Sequence, residues 1–301
     1  MEKKKMKPTL HFTGQVWRPP YESYSQLLQV TSGCTHARCK FCSLYHGTKF
    51  RMSPISEICQ DLEVIQEYQP FARRLFLTGA NPFALSYNRL LNLGLMFRKH
   101  LPWLENIGCF ARITDIKPKT LEQLKNLRHL GYYGITIGTE SGDNEVLERM
   151  NKGYDSAEIV EQCRKLEMAG IRYNISYLSG LSGSGGCRQN AMRSAEIFNR
   201  LHPYIINVVS LTLFPESQLH KEMQQGIFTE ASEKERLLEL RMLIERLTIR
   251  TTVLANTISN AVPVTGMIPN DKAAMLRHID KAINTLEEKE IREYREGIKS
   301  L

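Results

Sequence analysis

Nowhere does the 301-residue chain hold the roughly 18 uninterrupted apolar residues that a membrane-spanning helix needs. Its start, Met1-Glu2-Lys3-Lys4-Lys5, runs into Met6-Lys7-Pro8 without the apolar stretch of a secretory leader. A cytoplasmic protein with no membrane partner is expected. Glycine and proline, at 19 and 12 residues, are too few for a collagen-like or low-complexity chain. Charge of one sign is scarce as well. Lys and Arg number 40 against 32 Asp and Glu, a formal +8, and four of those lysines fall within the first seven residues. What remains is a slight electrostatic footprint for nucleic acid. Cysteine is limited to seven residues, an odd number that argues against a disulfide framework in a reducing compartment. With 42% apolar residues, the chain has the means to bury a sizeable core.

Apolar runs of strand length alternate with amphipathic runs of helix length between about residues 27 and 212. Six strands are expected: 27–31, 75–78, 107–113, 134–137, 171–178 and 205–213. A helix opens at Ser53-Pro54, with Ser53 as cap, and turns Ile58, Leu62 and Ile65 to one side. Two more, 120–130 and 156–169, begin at polar caps and stop at Gly131 and Gly170. Parallel strands joined by helices form right-handed units, and six of them give either an open doubly wound sheet or an incomplete TIM-like barrel. In both, ligands gather at the carboxyl ends of the strands. Beyond residue 213 a long charged helix (230–250), an irregular stretch through Pro263 and Pro269, and a last helix from Asp271 are expected.

The loop after the first strand reads Gly33-Cys34-Thr35-His36-Ala37-Arg38-Cys39-Lys40-Phe41-Cys42. Thiolates two to four residues apart suit both zinc and iron–sulfur centres, and His46 would complete a Cys3His zinc site. A [4Fe–4S] cube ordinarily takes four cysteines, so three leave one iron free for a cofactor or substrate.

With these residues the chain resembles the radical S-adenosylmethionine (radical SAM) superfamily, whose members carry three cysteines after the first barrel strand and an aromatic residue before the last, as Phe41 is here. Four residues separate Cys34 from Cys39 where the common number is three, and loop closure absorbs one residue at little cost. Thr78-Gly79-Ala80-Asn81-Pro82-Phe83 is similar to the glycine-rich loop that holds the methionine end of the cofactor; taken alone it is also an ordinary Gly-Asn-Pro turn. Gly138-Thr139-Glu140-Ser141-Gly142, followed by Met150-Asn151-Lys152-Gly153, is similar to a segment recurrent in the superfamily, especially in coproporphyrinogen oxidase-like and methylthiotransferase-like members. Strand 171–178 continues into Ser179-Gly180-Leu181-Ser182-Gly183, like the family's Gly-Leu-Pro-Gly ending with Ser182 for the proline.

The resemblance implies an α/β fold, a partial (β/α)6 TIM-like barrel over residues 25–215, with a tail at 1–24 and a mainly helical extension at 216–301. It implies an enzyme using a [4Fe–4S] cluster on Cys34, Cys39 and Cys42 and binding S-adenosylmethionine through Thr78, Gly79, Ala80, Asn81, Arg112, Glu140, Lys152 and Ser176. Such an enzyme cleaves S-adenosylmethionine reductively, and the resulting 5′-deoxyadenosyl radical takes a hydrogen atom from a substrate. A donor such as flavodoxin or ferredoxin would supply the electron. Lys152 reads equally well as a solvated surface lysine. Cys59, Cys109 and Cys163 read as packed thiols. Cys187, behind Ser184-Gly185-Gly186, is expected to be exposed on a flexible loop and is the candidate hydrogen donor or substrate contact. No other catalytic residue is assigned. The substrate is expected to be a small molecule; the same core acting on RNA or protein, and a zinc-bearing nucleic-acid-binding protein without catalysis, remain as alternatives.

Overall fold

The computed structural model describes residues 9–45 and 47–298. Its strands are β1 (Gln26–Gln29), β2 (Thr31–Ser32), β3 (Arg51–Met52), β4 (Arg74–Thr78), β5 (Asn106–Ala111), β6 (Ile135–Glu140), β7 (Tyr173–Ser179), β8 (Ile205–Ser210), β9 (Thr251–Ala255) and β10 (Val264–Ile268). Between and after them lie α1 (Ile55–Tyr68), α2 (Tyr87–His100), α3 (Ile113–Ile116), α4 (Leu121–His129), α5 (Asn144–Arg149), α6 (Ser156–Met168), α7 (Cys187–Phe198), α8 (Gln218–Gln224), α9 (Glu233–Arg246), α10 (Lys272–Thr285) and α11 (Glu288–Glu296). Among the described residues no helix is long and apolar enough to cross a membrane.

One sheet runs β1-β4-β5-β6-β7-β8-β9-β10, parallel up to β9 and antiparallel at β10. This is the expected α/β barrel-like architecture. Leu28, Leu75, Leu77, Ile107, Cys109, Ile135, Ile137, Ile175, Ile206 and Val208 belong to the main apolar core. Alternation along each strand turns Phe76, Thr78, Phe110, Thr136, Asn174 and Ser176 to the other face, the concave side of the barrel. Ile58, Leu62 and Ile65 of α1 are buried as the helical spacing predicts.

Caps set most helix starts within a residue or two of expectation. Thr120 and Gln123 form a reciprocal capping box on α4, while Asp155, one residue ahead of Ser156, caps α6. Helix α1 begins at Ile55 behind Pro54, and no side-chain bond from Ser53 caps it. The strand expected at 107–113 ends at Ala111 because the Asp115 carboxylate accepts the Arg112 amide at 2.8 Å and the Arg112 carbonyl accepts the Asp115 amide at 3.0 Å, which starts α3.

Two regions differ from the sequence reading. Residues 251–268, expected to be irregular, supply β9 and β10, so the extension adds a seventh parallel strand and an antiparallel edge to the sheet. Residues 9–24, assigned to a tail, pack against the barrel because they supply partners to polar groups at both ends of its strands. Thr13 donates its amide to Gln29 Oε1 at 2.6 Å, and Tyr21 Oη lies 3.0 Å from Thr136 Oγ1. Glu22, 3% exposed, accepts from Arg74 Nε at 2.6 Å. Residues 1–8 of that tail lie outside the described residues.

The extension also closes over the end of β8. Arg236 on α9 donates to the Leu211 carbonyl at 3.0 Å. Arg295 on α11 donates to that carbonyl as well, and to the Ser259 carbonyl at 2.9 Å. Glu230 and Glu233 balance these buried guanidinium groups.

Candidate active site

The cysteine loop is an excursion from the end of β1, pinched at its neck by the antiparallel β2–β3 pair, where Thr31 opposes Met52 and Ser32 opposes Arg51. Cys34 and Cys39 are half-buried. Cys42 has outer surface exposed, but its thiol is enclosed, and burial pushes its pKa up to about 11, with Cys39 and Cys34 adding to the rise. The loop turns back on itself here, the Cys42 amide donating to the Cys39 carbonyl at 3.1 Å.

The loop after β4 is tied to the cysteine loop by Asn81, which is 1% exposed. Its Oδ1 accepts the Thr35 amide at 3.2 Å, and its Nδ2 donates to Thr35 Oγ1 at 2.6 Å and to Asp115 Oδ2 at 3.0 Å. Gly79 has φ +117°, and a Cβ there would stand 2.2 Å from Thr31 Oγ1, so only glycine lets the two strand ends approach this closely. Thr78 is fully buried and Ala80 half-buried. The hydroxyls of Thr31 and Thr78 and Nε of Arg112 are buried without a partner.

Glu140 closes β6 at φ +65°. A Cβ on Gly138 would lie 2.7 Å from its carboxylate, so that glycine gives the side chain room to fold back over the strand. Lys152, only 3% exposed, donates to the Gly138 carbonyl at 3.0 Å and to Glu140 Oε1 at 3.5 Å. The surface reading of Lys152 is thereby corrected: carbonyl, carboxylate and the rings of Phe41 and Tyr154, each centred 5.5 Å from Nζ, replace its water. Burial alone favours the neutral amine, but Tyr154, Cys39 and Glu140 outweigh it and hold the pKa above the ordinary lysine value. Arg112, whose guanidinium centre lies 5.7 Å from the Tyr154 ring centroid, donates to the Lys152 carbonyl.

This segment also grips the cysteine loop. Lys40 N donates to Met150 O at 3.2 Å, Asn151 Nδ2 to Arg38 O at 3.1 Å, and His36 Nε2 sits 2.6 Å from Asn151 O. On the other side, Leu219 N of α8 donates to Lys40 O at 2.7 Å and Glu222 pairs with Lys40 at 2.8 Å. Ser176 is half-buried on β7, beside the Glu140–Tyr177 pairing.

Cys187 does not join them. It is 4% exposed as the first residue of α7, its Sγ 3.7 Å from Gly183 O and 3.8 Å from Ser182 Oγ, and burial drives its pKa far up. The glycines before it form the turn, and the side chain turns inward, so the expected exposure is corrected. Thr35, Asp115, Asn151, Tyr154 and Glu222 were missed as site residues. Thr35 and Asn151 stand inside the cysteine loop and the Met150–Gly153 segment that the sequence already singles out.

The radical SAM superfamily profile matches residues 28–184, just over half of the chain. The chain belongs to that superfamily. Among solved structures, this radical SAM protein is similar to a radical S-adenosylmethionine methyltransferase, TsrM from Kitasatospora setae, with cobalamin and a [4Fe–4S] cluster bound: TM-score 0.56, 18% identity, 67% of this chain and 37% of that one. Methylornithine synthase, PylB, gives TM-score 0.53 at 14% identity, over 90% and 85% of the two chains. Coproporphyrinogen III oxidase, HemN from Escherichia coli, gives 0.54 at 17%, over 73% and 51%. At such identities the likeness is one of fold, and the chain spans only 37% of the methyltransferase's length. No curated protein matches the sequence.

The donor set of the radical SAM loop suits an iron–sulfur cluster. Among the described residues no three His, Cys, Asp or Glu side chains converge tightly enough for one ion, the loop thiols included. Zinc draws each thiolate to about 2.3 Å from a single centre. A cubane offers a separate iron to each of three thiolates and leaves its fourth iron without a protein thiolate. His46, the fourth donor of the zinc alternative, lies outside the described residues.

Proposed function

We propose that this radical SAM protein is an enzyme that holds a [4Fe–4S] cluster on Cys34, Cys39 and Cys42 and cleaves S-adenosylmethionine reductively to act on a small molecule. One observation carries the reading: three neighbouring thiols at the carboxyl ends of the strands are clamped to the segment bearing the Glu140–Lys152 pair. Cluster and S-adenosylmethionine together supply a 5′-deoxyadenosyl radical that takes hydrogen from a substrate.

The chain's own residues position and shield. Lys152, held cationic in a dry setting, pairs with a carboxylate such as that of the cofactor's methionine end. Glu140 accepts from ribose hydroxyls or an ammonium group, with Ser176 beside it. Thr78, Gly79 and Ala80 offer a narrow backbone ledge to the methionine end. Asn81 and Arg112 act at one remove, Asn81 by fixing Thr35 next to Cys34 and Arg112 by fixing the Lys152 backbone. Residues 25–215 make the radical-generating unit and 216–301 close it, with the electron delivered by a flavodoxin- or ferredoxin-type donor.

The test is anaerobic reconstitution followed by dithionite and S-adenosylmethionine. The wild-type protein turns brown and releases 5′-deoxyadenosine, and Cys39→Ala loses the cluster absorption and the release together. A Cys39→Ala protein that keeps both overturns the ligand assignment.

A further inference from the structure

A cleft of about 440 Å³ opens beside the cysteine loop, between the segment around Trp17 and the chain just past β8. None of the three cysteines and none of the residues assigned to S-adenosylmethionine lines it. It nevertheless abuts the cluster loop: Gly33 and Ser43 on its wall are chain neighbours of Cys34 and Cys42.

Its lining has a definite chemical sign. Three aromatic side chains, Trp17, Tyr45 and Phe214, share it with Glu216, the one charged side chain among the described lining residues of a protein with net charge +8. Aromatic faces attract cations, and a carboxylate at the same opening repels anions. Trp17 adds a second requirement. Its Nε1 is buried with no partner, and a buried indole N–H needs an acceptor.

We infer that this cleft selects a protonated amine that also carries a hydroxyl or carbonyl oxygen, the ammonium at Glu216 among the aromatic rings and the oxygen accepting from Trp17. The inference rests on the radical reading for its meaning as a substrate site, and it narrows the substrate class to small cationic amines. Trp17, Phe214 and Glu216 all fall outside residues 28–184, the stretch that the superfamily profile matches.

Three probes of one size and different charge test it: 2-phenylethylamine, 2-phenylethanol and 3-phenylpropanoate, titrated by anaerobic calorimetry into the reconstituted full chain. The amine is expected to bind at least tenfold more tightly than the other two. Glu216→Gln, an exposed position whose Tm should stay put, is expected to erase that preference, and Trp17→Phe to weaken the oxygen-bearing 2-amino-1-phenylethanol more than 2-phenylethylamine. Equal binding of the three probes, no binding of the amine, or a preference that survives Glu216→Gln overturns the inference. Release of 5′-deoxyadenosine is measured on the same samples without probe. Amine selectivity without release sinks the radical reading alone, and release without selectivity sinks the amine site alone.

Discussion

The two ends of the barrel handle buried polarity in opposite ways. At the amino ends of the strands, Glu22 and Arg74 form a charge pair, and the Tyr21 hydroxyl meets Thr136. At the carboxyl ends, Thr31, Thr78 and Thr212 hydroxyls and the Arg112 Nε are buried with nothing to bond, against Asn174 Oδ1 near the amino ends. A buried polar atom without a partner costs about 1–3 kcal/mol, so the lower end gains stability where the upper end forgoes it. Barrel folds divide their labour in this manner: conserving structure below leaves loops above free to meet ligands.

The comparison breaks if changes at the two ends have the same consequences. Glu22→Ala leaves the half-buried Arg74 without its carboxylate and should cost about 1–3 kcal/mol, read as a drop in the urea midpoint, with S-adenosylmethionine cleavage per folded molecule preserved. At the upper end, Lys152→Met should raise the S-adenosylmethionine concentration for half-maximal cleavage by about tenfold, roughly 1.4 kcal/mol, with a smaller loss of stability. A Lys152→Met protein that unfolds as readily as Glu22→Ala, or binds S-adenosylmethionine unchanged, removes the distinction.

A pH titration sharpens it with a smaller effect. Lys119, donating to the Phe83 and Asp115 carbonyls at 2.7 and 2.8 Å, has its pKa lowered by burial to about 8. An unfolded lysine titrates near about 10.4, so between pH 8 and 10 the unfolded chain keeps a proton that the folded protein has released. Stability owed to this group therefore rises with pH across that window. The difference in unfolding free energy between wild type and Lys119→Met should climb from pH 8 to 10; a flat difference contradicts the assignment.

The six barrel strands were legible because each is a short apolar run bounded by turn residues, and the cysteine loop because its spacing is chemically specific. Strand β9 was not, since Thr251–Ala255 is five residues whose meaning depends on pairing with β8 across the whole of α8 and α9. Lys152 was ambiguous for a similar reason. A lysine is buried only when distant groups replace its water, and here Gly138, Phe41 and Tyr154 do so from three places in the chain. Cys187 misled because a glycine pair marks a turn without stating which way the next side chain points. The cleft by Trp17 had no sequence signature at all, being assembled from the amino-terminal segment, the cysteine loop and the chain after β8.

Arg295 has a consequence for biosynthesis. The Leu211 carbonyl it claims lies 84 residues earlier, so a ribosome delivers β1 and β4 to β8 well before this guanidinium at the end of β8. Until then Arg236 alone holds that end, and deletion of α11 should leave a protein that assembles its sheet yet is more readily nicked by proteases just past Ser210.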